Sequence, residues 1–103
     1  MRRGTRAGSA LLSVHLLVRA DEAGAIPRVG FVVSRAVGTA VVRNQVRRRL
    51  RPVVREHLSS LPGGSLLVVR AHPRAAAARQ ADLAAELRLV MDKALRRQVG
   101  TSR

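Results

Sequence analysis

The sequence predicts an α/β (α+β) two-layer sandwich, a small mixed β-sheet packed by helices. Short apolar, β-branched runs occupy residues 11–19, 28–34 and 65–70. Apolar residues recur at helical spacing over residues 39–58 and again over 78–98. Strand-like and helical stretches therefore alternate along the second half of the chain, the order that buries a sheet under helices. With 103 residues there is enough chain for one modest core, so a single domain spanning 1–103 is expected.

Taken in order, residues 1–10 are rich in Gly and Arg and read as flexible or only briefly extended. Leu11–Arg19 is a continuous β-compatible run. Asp21-Glu22-Ala23-Gly24 makes a turn, and Pro27 closes the loop. Arg28–Ser34 is a second short run, read as a buried strand. Gly38-Thr39 marks a helix start with Thr39 as N-cap, and Pro62-Gly63-Gly64 ends the region. Ser65–Arg70 is a third strand, broken by His72-Pro73. A long Ala/Leu/Arg helix follows over Ala78–Gln98, with Leu83, Leu87, Val90, Met91, Ala94 and Leu95 on one stripe. Residues 99–103 form a tail. Pro52 falls inside the first helix, where it removes a backbone hydrogen bond and is expected to kink the chain near Arg48–Arg51.

Charge decides the class of partner. Lys+Arg number 20 against 6 Asp+Glu, a formal net charge of +14. Such a surplus repels itself unless a polyanion is the normal partner, so nucleic acid is the first expectation. Lys93 is the only lysine. Arginine offers a planar fork that meets phosphate bidentately and stacks on bases, although GC-rich coding explains an Arg-for-Lys bias equally well. With no cysteine, disulfides, thiolate metal sites and thiol nucleophiles are excluded. No apolar run approaches the roughly 20 residues of a membrane span, and no signal-peptide pattern is read at the start. A cytoplasmic protein with no membrane association is expected.

The first helix separates its residues by chemistry. At about 100° per residue, Val42, Val46, Leu50, Val53 and His57 share a narrow arc, the expected buried stripe. Arg43, Asn44, Arg47, Arg48, Arg51 and Arg55 share the adjoining and opposite arc, with no acid among them. A merely solvated face interleaves both signs so that i,i+4 pairs offset repulsion. Here residues 43, 47, 51 and 55 set like charges at that spacing, and phosphates between them would reverse the sign of the interaction. Gln45 and Arg49 lie off this arc, where Arg49 is expected to lay its stem over apolar neighbours.

The same residues carry a family resemblance. Arg28-Val29-Gly30-Phe31-Val32-Val33-Ser34-Arg35 is a VG-containing strand running into a basic turn. Gly38-Thr39-Ala40-Val41 opens the helix, and Arg43-Asn44-Gln45 with Arg47, Arg48, Arg49 and Arg51 continues it. This resembles the signature of the bacterial ribonuclease P protein component. The later Ser65–Ala77 segment resembles the family's final strand and its proline entry to the last helix. The match covers roughly residues 10–97.

The resemblance implies a left-handed β-α-β crossover, where general chirality rules favour a right-handed one. It implies a protein that binds the catalytic RNA subunit and the 5′ leader of precursor tRNA, assisting endonucleolytic removal of that leader. Arg35, Arg43, Asn44, Arg47, Arg48, Arg51 and Arg55 are the RNA-binding candidates. His15, Phe31 and Val33 are candidates for a leader cleft on the sheet. Mg²⁺ would be bound by the RNA and not by this chain, and no obligate protein partner is implied. Gln45 stands where the family usually has a second arginine. A helix containing phenylalanines precedes the first strands in the family, and no counterpart is read ahead of Leu11.

The catalytic alternatives are poorly supported. His15, His57 and His72 have no carboxylate or nucleophile at a catalytic spacing, and the six acids are scattered; a two-metal nuclease needs them clustered. Other readings remain in view. A structural RNA-binding module of the ribosomal or ribosome-assembly type would share the charge and layout. A DNA-reading helix would need a helix-turn-helix partner in place of a strand and turn. A membrane-active helix would need a broader apolar face than this stripe.

Overall fold

The computed structural model describes residues 4–19, 21 and 23–101. Its elements are β1 (Gly4–Gly8), β2 (Leu12–Val18), β3 (Arg28–Val33), α1 (Ala40–His57), β4 (Ser65–Ala71) and α2 (Gln80–Thr101). Short 3-10 turns stand at Arg35–Val37, Leu58–Ser60 and Pro73–Ala77. Met1–Arg3, Glu22 and the last two residues of the expected tail lie outside the described residues.

One mixed sheet of four strands runs in the order β1-β2-β4-β3. β1 with β2 and β2 with β4 are antiparallel, while β3 and β4 are parallel. A parallel pair cannot be closed by a tight turn and needs a crossover; α1 is that crossover.

The structure sharpens two expectations at the chain ends. The N-terminal residues read as flexible or only briefly extended supply β1, an edge strand of five residues in register with β2. Its sequence, Gly-Thr-Arg-Ala-Gly, has little intrinsic strand preference; pairing with β2 and burial of Thr5 and Ala7 hold it. At the other end α2 continues through Thr101, past the Gln98 limit read from the sequence.

Alternation decides which sheet face is covered. Leu12, Val14 and Leu16 of β2 pair with Ala71, Val69 and Leu67 of β4, and all six are buried. Val33, Phe31 and Val29 of β3 oppose the same three β4 residues. This face meets Leu50, Val46, Val53 and Val54 of α1 and Leu83, Leu87, Val90, Met91 and Ala94 of α2 in one apolar cluster. Each fully buried Leu or Val contributes about 1.5–3 kcal/mol over its exposed state. The other face carries the intervening residues and no helix of the described chain covers it.

In α1 the expected stripe is largely the buried one, with Val54 added and Val42 and His57 only half-buried. The Thr39 hydroxyl accepts the Val42 amide at 3.3 Å, closing the N-terminus as an N-cap. The helix runs unbroken through Pro52, which is exposed and lacks the N–H that would bond the Arg48 carbonyl.

Candidate nucleic-acid interface

Burial of the apolar stripe fixes how α1 presents its arginines. Arg48, Arg51 and Arg55 are exposed, as is Asn44; Arg43 and Arg47 are half-buried. Arg47 Nη1 donates to Asn44 Oδ1 at 3.0 Å, so the asparagine one turn earlier orients that guanidinium. Arg43 Nε is buried and has no hydrogen-bond acceptor. The one carboxylate of the helix, Glu56, faces α2 and meets Arg88 at 3.5 Å. Among the described residues no acid pairs with Arg43, Arg47, Arg48, Arg51 or Arg55. Arg35, exposed in the turn before α1, likewise has none.

Arg49 makes a contact between the helices. Its Nη1 donates to the Ala78 carbonyl at 3.3 Å, and the Gln80 amide donates back to the Arg49 carbonyl at 2.9 Å. The half-buried side chain is a tether between α1 and the start of α2.

The open sheet face holds the second feature, a concavity of about 660 Å³. Its lining includes the apolar Val32 and Val68 and the basic or imidazole side chains Arg6, His15, Arg70 and His72. His15 leans over Gly4, where any Cβ would lie 1.8 Å from its Nε2. The glycine thus makes the space the imidazole occupies. The edge of the concavity is joined to the sheet by Arg97 of α2, which donates to the Arg6 carbonyl.

The structure separates the three residues expected together in a leader cleft. His15 points to the open face. Val33 is buried at 5% exposure on the helix side, and Phe31 packs against the same core. Period-two alternation is the cause: Gly30 and Val32 of β3 share a face with His15, and Phe31 and Val33 do not. The sequence reading missed Arg6, Arg70 and His72. The signal for Arg70 was present, because Leu66, Val68 and Arg70 alternate with the buried Leu67 and Val69.

No three His, Asp or Glu side chains gather as a metal site among the described residues. No described helix is long and apolar enough to cross a membrane.

Residues 1–95 match the family model described as Ribonuclease P. The ribonuclease P protein component of Nocardioides sp. is 63% identical over 87 residues, 84% of this chain and 74% of that protein. That of Thermobifida fusca is 54% identical over 101 residues, 93% of this chain and 66% of that protein. The chain therefore spans about two thirds to three quarters of the length of these two relatives. Among solved structures, the Staphylococcus aureus RNase P protein superposes with a TM-score of 0.77 at 23% identity, covering 88% of this chain and 81% of that one. At that identity the likeness is one of fold.

Proposed function

This chain belongs to the ribonuclease P protein family, and we propose that it serves that enzyme by gripping RNA with the arginine face of α1. Membership makes it the protein component of a tRNA-processing enzyme that works with an RNA subunit. The observation that carries the finer reading is the α1 surface itself. Arg43, Arg47, Arg48, Arg51 and Arg55 stand along it with no acid partner among the described residues.

In this reading Arg43, Asn44, Arg47, Arg48 and Arg51 meet phosphates of the catalytic RNA and help position precursor tRNA, with Arg35 and Arg55 extending the surface. Bound phosphates turn the i,i+4 repulsion into attraction. The single-stranded 5′ leader lies in the open-face concavity, over Val32 and Val68 and beside His15 and Arg70. A lining that mixes apolar and basic side chains suits a single strand that offers both bases and phosphates.

The protein's contribution is electrostatic: it offsets phosphate repulsion, stabilises the active RNA fold and strengthens leader binding. Mg²⁺ is held by the RNA, which performs the hydrolysis, and this chain supplies no catalytic group. The reaction takes place in the cytoplasm.

Cleavage of precursor tRNA by the cognate catalytic RNA at low Mg²⁺, with and without the protein, tests the reading. A large gain in rate or precursor affinity on adding the protein is expected. No gain in either would overturn it.

A further inference from the structure

We propose that the outer flank of α2 is a self-association surface, on which a second copy of this chain lays its own α2 antiparallel, with Leu89 on the two-fold axis. The surface is one that the RNA reading does not use.

α2 differs in charge from the rest of the molecule. Between residues 80 and 96 it carries three acids, Asp82, Glu86 and Asp92, against three bases, Arg88, Lys93 and Arg96. α1 carries six arginines and one acid over Ala40–His57. A chain with a net charge of +14 repels its own copies, so it can meet one only through a face without that surplus. α2 supplies such a face, and its mixed charge does not select for phosphate.

The flank has an apolar centre. Leu89 is 63% exposed. Asp82 and Arg96 stand seven residues to either side of it, which at about 100° per residue puts all three on one stripe, and both are exposed. The stripe lies off the side that meets α1, where Arg88 holds Glu56 at 3.5 Å. Ala85, small and exposed, borders Leu89 on one side; the half-buried Glu86 and the exposed Lys93 border it on the other.

The order of charges makes this stripe self-complementary. Asp82 and Glu86 precede Leu89, and Lys93 and Arg96 follow it. A two-fold axis at Leu89 sets each residue beside the one equally far past Leu89 in the partner copy. Asp82 then faces the partner's Arg96, and Glu86 falls within one residue of the partner's Lys93, each contact made twice. Arg96 also pairs with Asp92 of its own chain, which leaves further N–H donors for the partner. A parallel arrangement would set acid on acid. The helix dipole favours Asp82 in the first turn of α2, but Glu86 and Lys93 lie beyond the end turns where it acts. Each surface pair contributes little, so the pairs set the orientation while Leu89 and Ala85 supply the apolar contact. α1 meets α2 through Arg49 and Glu56, so its arginine face stays open on both copies.

Sedimentation equilibrium of the full chain over a concentration series, at physiological ionic strength where repulsion between copies is screened, tests the proposal. Circular dichroism verifies the fold of each variant. The wild type is expected to show a concentration-dependent monomer–dimer equilibrium, and Leu89→Lys should sediment as a monomer. Lys93→Glu and Glu86→Lys should each dimerise about tenfold more weakly, because each sets like charges together twice across the axis. An equimolar mixture of the two variants should recover the wild-type affinity, since a heterodimer restores both contacts with the signs exchanged. Asp82→Arg mixed with Arg96→Asp repeats the test at two exposed positions, should Glu86→Lys not fold.

A wild-type chain that stays monomeric throughout would overturn the proposal. So would a dimer that Leu89→Lys leaves intact, or a mixture that associates no better than its separate variants. None of these readouts involves RNA, so this inference can fail while the α1 reading stands.

Discussion

Gln80 of α2 donates its side-chain amide to the Arg49 carbonyl of α1 at 2.9 Å, and beside it Arg49 Nη1 donates to the Ala78 carbonyl at 3.3 Å. The two bonds join the helix that carries the proposed RNA-binding arginines to the entry of α2. Arg49→Ala and Gln80→Ala should each cost about 1 kcal/mol in urea unfolding, and the double variant should cost less than their sum. Strict additivity would show that the two bonds do not act as one tether.

Gly38 sits at φ 156° between the Arg35 turn and the Thr39 cap, and a Cβ there would lie 2.9 Å from Val42 Cγ1. Gly38→Ala combines backbone strain with this overlap, so a loss of about 1–3 kcal/mol is expected. Chemical denaturation reads it directly. An alanine variant as stable as the parent would mean that the turn relaxes without cost.

Val46 and Leu50 are 1% and 0% exposed between α1 and the sheet. Val46→Asp or Leu50→Asp places a carboxylate where nothing can pair with it, and the expected cost approaches the whole stability of a small domain. Circular dichroism should show an unfolded chain. Leu50→Ala should stay folded and lose about 2–5 kcal/mol. A native-like aspartate variant would contradict the assigned buried stripe.

Much of this frame was legible in the residues. The α1 stripe, the Thr39 cap, the α2 stripe and three strands follow from local periodicity and turn chemistry. β1 was not legible, because Gly-Thr-Arg-Ala-Gly carries no strand signal and is held by its partner. That Phe31 and Val33 lie on the face opposite His15 was hidden for a similar reason. Which of Phe31 and Val32 shares a face with His15 depends on cross-strand register, which one strand's sequence does not contain. The hydrogen bond of Arg49 was not legible because the carbonyl it binds belongs to a distant residue, Ala78.

The concavity makes its own prediction. His15→Ala removes a ring that stands over Gly4 beside Val68 and Arg70, without touching the core. Precursor tRNA should bind the holoenzyme about fivefold to tenfold more weakly, the lower end of the range for one lost base stack, while mature tRNA binds unchanged. Equal effects on both substrates would place His15 outside the leader path.

The central claim is that the α1 arginines hold RNA phosphates, and counterion release measures this most directly. Affinity of the protein for its catalytic RNA should be titrated against salt for the wild type and for Arg47→Ala/Arg51→Ala, with circular dichroism confirming an intact fold. The wild type should show a steep log–log slope, and the double variant a slope shallower by about 1.4–1.8, the value for two lost phosphate contacts. An unchanged slope and affinity in the double variant would contradict the claim.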